Sequence, residues 1–220
     1  MRMVVVNGGG TPDPTNGVVF EDFDEYGYPQ KIRFVGNHET IKHNYLCMGA
    51  ASTITGTATS YNFVGRIKTL EIPNGVETIK PNAFSGWYGS ENLILPNSLT
   101  KIEDRAFIYF GEKLSAAVSD LHIPPLCEFS TGTLQQFRYS KFKRVIFDGT
   151  EHPSYITGFD DCRSTEVFDF SKFTIIPQLR GTGSFQPASG CVIKVPQALL
   201  ADWQNATNWA DLTDVVWQGV

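Results

Sequence analysis

The chain has 220 residues, of which 41% are hydrophobic and 19% charged, with a formal net charge of −5. That length is enough for one domain with a continuous core, and the composition is globular rather than disordered. A mildly acidic surface argues against nucleic acid or an anionic membrane as the main partner.

In chain order, Met3–Val6 is a short apolar, β-branched strand candidate. It is far too short for the apolar core of a signal peptide, and nowhere does the sequence reach the roughly 18 apolar residues of a membrane span, so a soluble chain is expected. Asn7–Asn16 holds three consecutive glycines and two prolines, which no helix or central strand tolerates. Residues 1–16 therefore read as a strand and flexible linker, with the body at 17–220. The N-terminal strand is available to pair with another chain, a route to an oligomer or an attachment, or else to add itself to its own solenoid.

From Glu39 onward the sequence repeats. The octads Glu39–Leu46, Glu77–Phe84 and Thr100–Phe107 align without gaps, with Ile41, Ile79 and Ile102 in third place and Leu46, Phe84 and Phe107 in eighth. Between and after them lie alternating triplets: Leu70–Ile72, Leu93–Leu95, Leu121–Ile123, Val145–Phe147, Phe168–Phe170 and Ile193–Val195, with an earlier one at Ile32–Phe34. The last residues of the six are 23, 28, 24, 23 and 25 positions apart. A period near 24 marks a solenoid, because one such coil cannot bury its apolar face alone and must stack on its neighbours. In a strand, the first and third residues of each triplet point one way and the middle one the other. The triplets are therefore expected to form one parallel sheet in sequence order, strands about 4.8 Å apart, with prolines ending several of them. The octads are expected to cross the back as short turns or 3-10 segments.

The Ser/Thr/Gly/Ala-rich stretch from Cys47 to Tyr61 lengthens the first period by more than ten residues, and long loops of this kind often carry function. At the C-terminus, Pro196 precedes Leu199, Leu200, Trp203 and Trp209 at helical spacing, which predicts a helical cap over residues 196–220.

The runs Leu70–Phe84 and Leu93–Phe107 resemble the BspA-type leucine-rich repeat, whose recurring phrase is an apolar strand, Ile-Pro, a Val or Leu, an Ile, then Ala-Phe. The likeness is looser over 33–46 and 121–147, where Ala-Phe is lost. The opening phrase Gly17–Pro29 and the closing stretch Phe168–Trp209 are similar to repeat proteins encoded by bacteriophages and prophages of gut bacteria. The resemblance agrees with the periodicity on a right-handed β-rich solenoid. It implies a cell-surface adhesin or a virion-associated protein, in a family without shared catalytic residues.

Little in the sequence points to chemistry. Cys47, Cys127, Cys162 and Cys191 are far apart, without a C-x-x-C pair, and read as buried thiols. His38, His43, His122 and His152 show no metal-ligand spacing. The acidic pairs Asp22/Asp24, Glu103/Asp104 and Asp160/Asp161 imply no glycoside hydrolysis without a cleft. Asp22–Gly27 lacks the calcium-loop pattern, Gly8–Gly10 is no phosphate loop, and Ser184 and Ser189 lie in no nucleophile elbow. No metal, cofactor or catalytic residue is assigned.

The periodicity does single out a surface. The middle residues of the triplets, Glu71, Ile94, His122, Ile146, Asp169 and Lys194, line one outward face, and solenoids commonly bind through such faces. Ile94 and Ile146 flank His122; exposed apolar residues so placed mark either an interface or mere strand propensity. The expected function is non-enzymatic adhesion to a protein or glycan, first in a virion, alternatively on a bacterial surface or in secreted form. A carbohydrate-active enzyme is the remaining alternative.

Overall fold

The computed structural model describes residues 3–5, 17–25, 29–35, 40–41, 67–72, 74–130, 135–151 and 153–220. In chain order the elements are β1 (Met3–Val5), β2 (Gly17–Phe23), β3 (Pro29–Val35), β4 (Thr40–Ile41), β5 (Thr69–Glu71), β6 (Thr78–Ile79), β7 (Asn92–Ile94), β8 (Lys101–Ile102), β9 (Asp120–Ile123), β10 (Glu128–Phe129), β11 (Arg144–Phe147), β12 (Tyr155–Ile156), β13 (Phe159–Cys162), β14 (Val167–Asp169), β15 (Gln178–Leu179), β16 (Phe185–Pro187), β17 (Val192–Val195), helix α1 (Leu200–Asn205) and β18 (Val216–Gly219). They wind a β-solenoid of short parallel ladders with little helix.

Each coil lays one strand on a broad face. Register pairs Ile32 with Leu70 and Leu70 with Leu93, then Leu121 with Val145, Val145 with Phe168 and Phe168 with Ile193. These are the first residues of the triplets, and from Ile32 to Ile193 all are buried. The strands begin one residue earlier than the triplets, so each also carries an outward residue ahead of its first inward one. The octads do more than turn. Their second and third residues form a parallel ladder, β4–β6–β8, which β10 extends beyond the octads, with Ile41, Ile79, Ile102 and Phe129 in register.

Beyond that ladder the chain turns sharply and sends an aromatic ring inward. Phe84, Phe107, Phe137 and Phe159 stack face to face with centroids 5.3, 5.2 and 5.1 Å apart, all fully buried. Burying one such ring stabilises the fold by about 1.5–3 kcal/mol. Two residues after each ring the backbone enters the left-handed region: Gly86 (φ 80°), Tyr109 (φ 66°), Tyr139 (φ 61°) and Asp161 (φ 54°). Only glycine adopts this region without cost, so the other three need support from their surroundings, which for Asp161 is its pairing with Arg138 (3.4 Å) and Arg163 (2.9 Å). Tyr109 and Tyr139 indeed stack at 5.1 Å, with the Arg138 guanidinium 4.6 Å over the Tyr139 ring.

The single sheet expected from the periodicity is divided. β5 and β7 belong to one sheet, β9 to the next, and no ladder pairing joins β7 to β9. This is the step with the long 28-residue spacing. The extra residues fold as further turns after Phe110, with Gly111 N–H donating to Trp87 O (2.9 Å) and Lys113 N–H to Tyr88 O (3.0 Å). They bring β9 back out of bonding register. The second ladder and the Phe stack run through this step unbroken, so the interruption is confined to the outward-facing sheet.

The ends follow one of the two N-terminal expectations and most of the C-terminal one. Of the two roles open to the N-terminal strand the structure has the second: Met3–Val5 pairs antiparallel with β2, itself a hairpin partner of β3, and adds a strand to its own sheet. Residues 6–16 and the insertion 47–61 lie outside the described residues. At the C-terminus a 3-10 turn (Gln197–Leu199) leads into α1, which buries Trp203. Trp209, expected on the same helix, lies beyond it. Its ring is 4.7 Å from Trp203 and 5.6 Å from Phe185, and its indole N–H donates to Pro177 O at 2.8 Å. The chain then returns to the face as β18, parallel to β17, pairing Ile193 with Trp217.

Candidate functional site

The six middle residues do fall on the outward face, in two groups. Glu71 pairs with Ile94 on one side of the break; His122, Ile146, Asp169 and Lys194 run in register on the other, continued by Gln218. Glu71 is held by Lys31 (2.8 Å), and the Asp169 carboxylate accepts the Ser171 N–H at 3.0 Å. Ile146, Asp169 and Lys194 are half-buried, whereas Ile94 is 47% exposed. His122 Nδ1 lies 3.0 Å from Asp148, which Lys172 also approaches at 3.6 Å.

Two recesses open on this face beside the break between β7 and β9. A recess of about 370 Å³ is lined by Thr69, Asn92, Leu93, Ile94, Leu95, Asp120 and His122. A second recess of about 530 Å³ shares Asn92 and Asp120 with it and adds Val118, Ser119, Lys143 and Arg144. Asp120 and Arg144 join their walls: Arg144 Nε donates to Asp120 Oδ1 at 2.9 Å and its terminal nitrogen to Oδ2. This two-pronged bond holds the Asp120 carboxyl below its ordinary range. Val118, 57% exposed, and Ile94 supply apolar rims, and Lys143 is an exposed cation on the second wall. The structure thus brings together two of the six sequence-predicted residues, Ile94 and His122, with five that sequence reasoning missed: Asn92, Val118, Asp120, Lys143 and Arg144. The signal for Asn92, Asp120 and Arg144 was present. Each stands one residue before an inward position, so alternation extended by one residue puts it on the outward face.

The other candidate groups are tied into the framework. Glu103 pairs with Lys80 (3.0 Å) and Asp161 with Arg163 (2.9 Å). Asp160, 6% exposed, sits 2.9 Å from Arg138; burial outweighs that cation and pushes its carboxyl up to about 6. Cys127, Cys162 and Cys191 are free and buried; Cys47, His38, His43 and His152 lie outside the described residues. Among the described residues no group of three or more His, Cys, Asp or Glu is placed to hold a metal. A further recess of about 420 Å³, between residues 176–179 and 206–209, is lined without any charged side chain.

Residues 56–178 match the model of the BspA type leucine rich repeat region, in six copies. The pneumococcal vaccine antigen PcpA has a similar solved structure, with a TM-score of 0.59 at 17% identity over 93% of this chain, which spans 47% of that one. A leucine rich cell surface protein from Faecalibacterium prausnitzii matches at 12% identity over 96% of this chain and 95% of its own, with a TM-score of only 0.20. No curated protein matches the chain.

Proposed function

The chain belongs to the BspA-type leucine-rich-repeat family, and from that premise we propose that it is a non-enzymatic adhesion module that binds a protein or glycan at the recess between β7 and β9. One observation carries the reading. The break in the outward sheet is where the solenoid exposes Ile94 and Val118 beside a fixed Asp120–Arg144 pair and an exposed lysine. A regular strand ladder offers a flat, ion-paired surface; this step offers concavity, apolar rims and charge together.

A location on a bacterial surface is supported by the likeness in fold to the pneumococcal vaccine antigen PcpA. Attachment within a virion is the second reading; it rests on the likeness of Gly17–Pro29 and Phe168–Trp209 to phage-encoded repeat proteins. Fractionation of the producing culture separates the two, since the protein sediments either with cell envelopes or with particles.

The binding test uses the full chain against panels of glycans and extracellular proteins. Ile94→Asp and Val118→Asp should each weaken the strongest interaction by about tenfold or more. Val216→Asp, on the exposed far strand, should leave it unchanged. Equal binding by all three variants and the parent would overturn the assignment of the recess.

A further inference from the structure

The turn that leaves β5 carries Asn74 followed by Gly75, both exposed. Asn–Gly is the pair most open to spontaneous deamidation, because glycine has no side chain to hinder its own nitrogen. The Gly75 nitrogen, having given up its proton to solvent base, attacks Asn74 Cγ. A C–N bond forms there, and the bond to the side-chain amide nitrogen breaks, releasing ammonia. Water then opens the succinimide at either carbonyl to leave aspartate or isoaspartate.

In the folded chain that nitrogen is not free. Its N–H donates to Ser98 Oγ at 2.9 Å, and the same hydroxyl donates to Val76 O at 2.9 Å. Ser98 belongs to the next coil and holds the turn on both sides of the Gly75–Val76 peptide group. Gly75 is in the left-handed region (φ 96°), with nothing within 4 Å of where a Cβ would stand. Water therefore reaches the turn, and what restrains the nitrogen is one hydroxyl. In the corresponding turn of the next coil, Asn97 is followed by Ser98, whose side chain hinders attack.

We propose that Asn74–Gly75 is a latent deamidation site kept closed by the Ser98 hydroxyl of the neighbouring coil. Its opening reports separation of these two coils. The reaction puts a new negative charge on the turn and, as isoaspartate, an extra methylene in the main chain between β5 and β6, so it weakens the coil that released it.

The test is peptide mapping of the intact, purified chain aged at mildly alkaline pH, reading the mass gain of about 1 Da at residues 74–75. Ser98→Thr keeps the hydroxyl and Ser98→Val has the same shape without it, with folding of each checked by thermal melting. Folded wild-type protein and Ser98→Thr should convert slowly, and Ser98→Val faster by about tenfold, the scale expected when one hydrogen bond of about 1.4 kcal/mol is lost. In denaturant all three should convert equally fast. Equal rates for folded Thr and Val variants, or no acceleration of the wild type on denaturation, would overturn the proposal.

Discussion

Replacing Asp160 by asparagine should stabilise the protein near neutral pH, although it removes half of an ion pair. Two effects compete at this carboxylate. Burial, reinforced by Asp161 and Asp104, opposes the charge; a backbone hydrogen bond and Arg138, 2.9 Å away, favour it. Burial prevails, placing the carboxyl at about 6 against an ordinary value of 3.8. The folded state therefore binds this proton more tightly than the unfolded chain. Its contribution is fully present below pH 3.8 and is lost as pH rises through about 6. The gap corresponds to about 3 kcal/mol. Arg138 is not stranded by the change, since it keeps the Asp161 carboxylate (3.4 Å) and the Tyr139 hydroxyl (2.8 Å). The assay is chemical denaturation of wild type and Asp160→Asn at intervals from pH 4 to pH 8. Asp120, which is paired elsewhere with Arg144, is common to both proteins, so its contribution drops out of the difference between the curves. The variant should gain on the wild type as pH rises, with most of the gain between pH 4 and pH 6. A difference that does not change with pH, or an asparagine variant clearly less stable at pH 8, would refute the argument that burial outweighs Arg138.

Phe107 stacks on both Phe84 and Phe137, so Phe107→Ala should cost about 3–5 kcal/mol in the same denaturation assay; a loss under 1 kcal/mol would mean the coils do not depend on the stack. Trp209 seals the last coil against Trp203 and Phe185, and Trp209→Ala should lower the melting temperature by several degrees and raise binding of a hydrophobic dye. Burial pushes the Cys191 thiol up to about 12 and those of Cys127 and Cys162 higher still, so none of the three should react with a thiol reagent at neutral pH until the protein unfolds. Arg144→Ala should leave stability within about 1 kcal/mol of wild type, because its pair with Asp120 is solvent-exposed, yet the Asp120 carboxyl should move up toward its ordinary range by NMR titration.

What the sequence by itself determined is everything that depends on local alternation and its recurrence. Leu70, Leu93, Leu121, Val145, Phe168 and Ile193 could be read as inward-facing because a strand alternates its side chains, and as one column because the period repeats. Ile79 and Ile102 declared a second column in the same way, and Phe84 and Phe107 a third. The tertiary structure alone decided where that predicted pairing is interrupted. The residues inserted between Phe110 and Asp120 lengthen one period by only a few positions, which leaves the alternation intact but carries β9 out of register with β7. Hydrogen-bonded pairing needs strands at a fixed separation and offset, and turn geometry, not residue pattern, sets that offset. The recess and the joining of Ile94 to His122 across it follow from that one displacement, whereas the Asp120–Arg144 bond is an ordinary cross-strand pair of the β9–β11 ladder that walls it. The same reason hid β18, whose Val-Trp-Gln-Gly earns its place by packing Trp217 beside the cap. It also hid the pairing of Met3–Val5 with β2, and the burial of Asp160, where a surface-like sequence is folded under its neighbours by the left-handed turn that follows it.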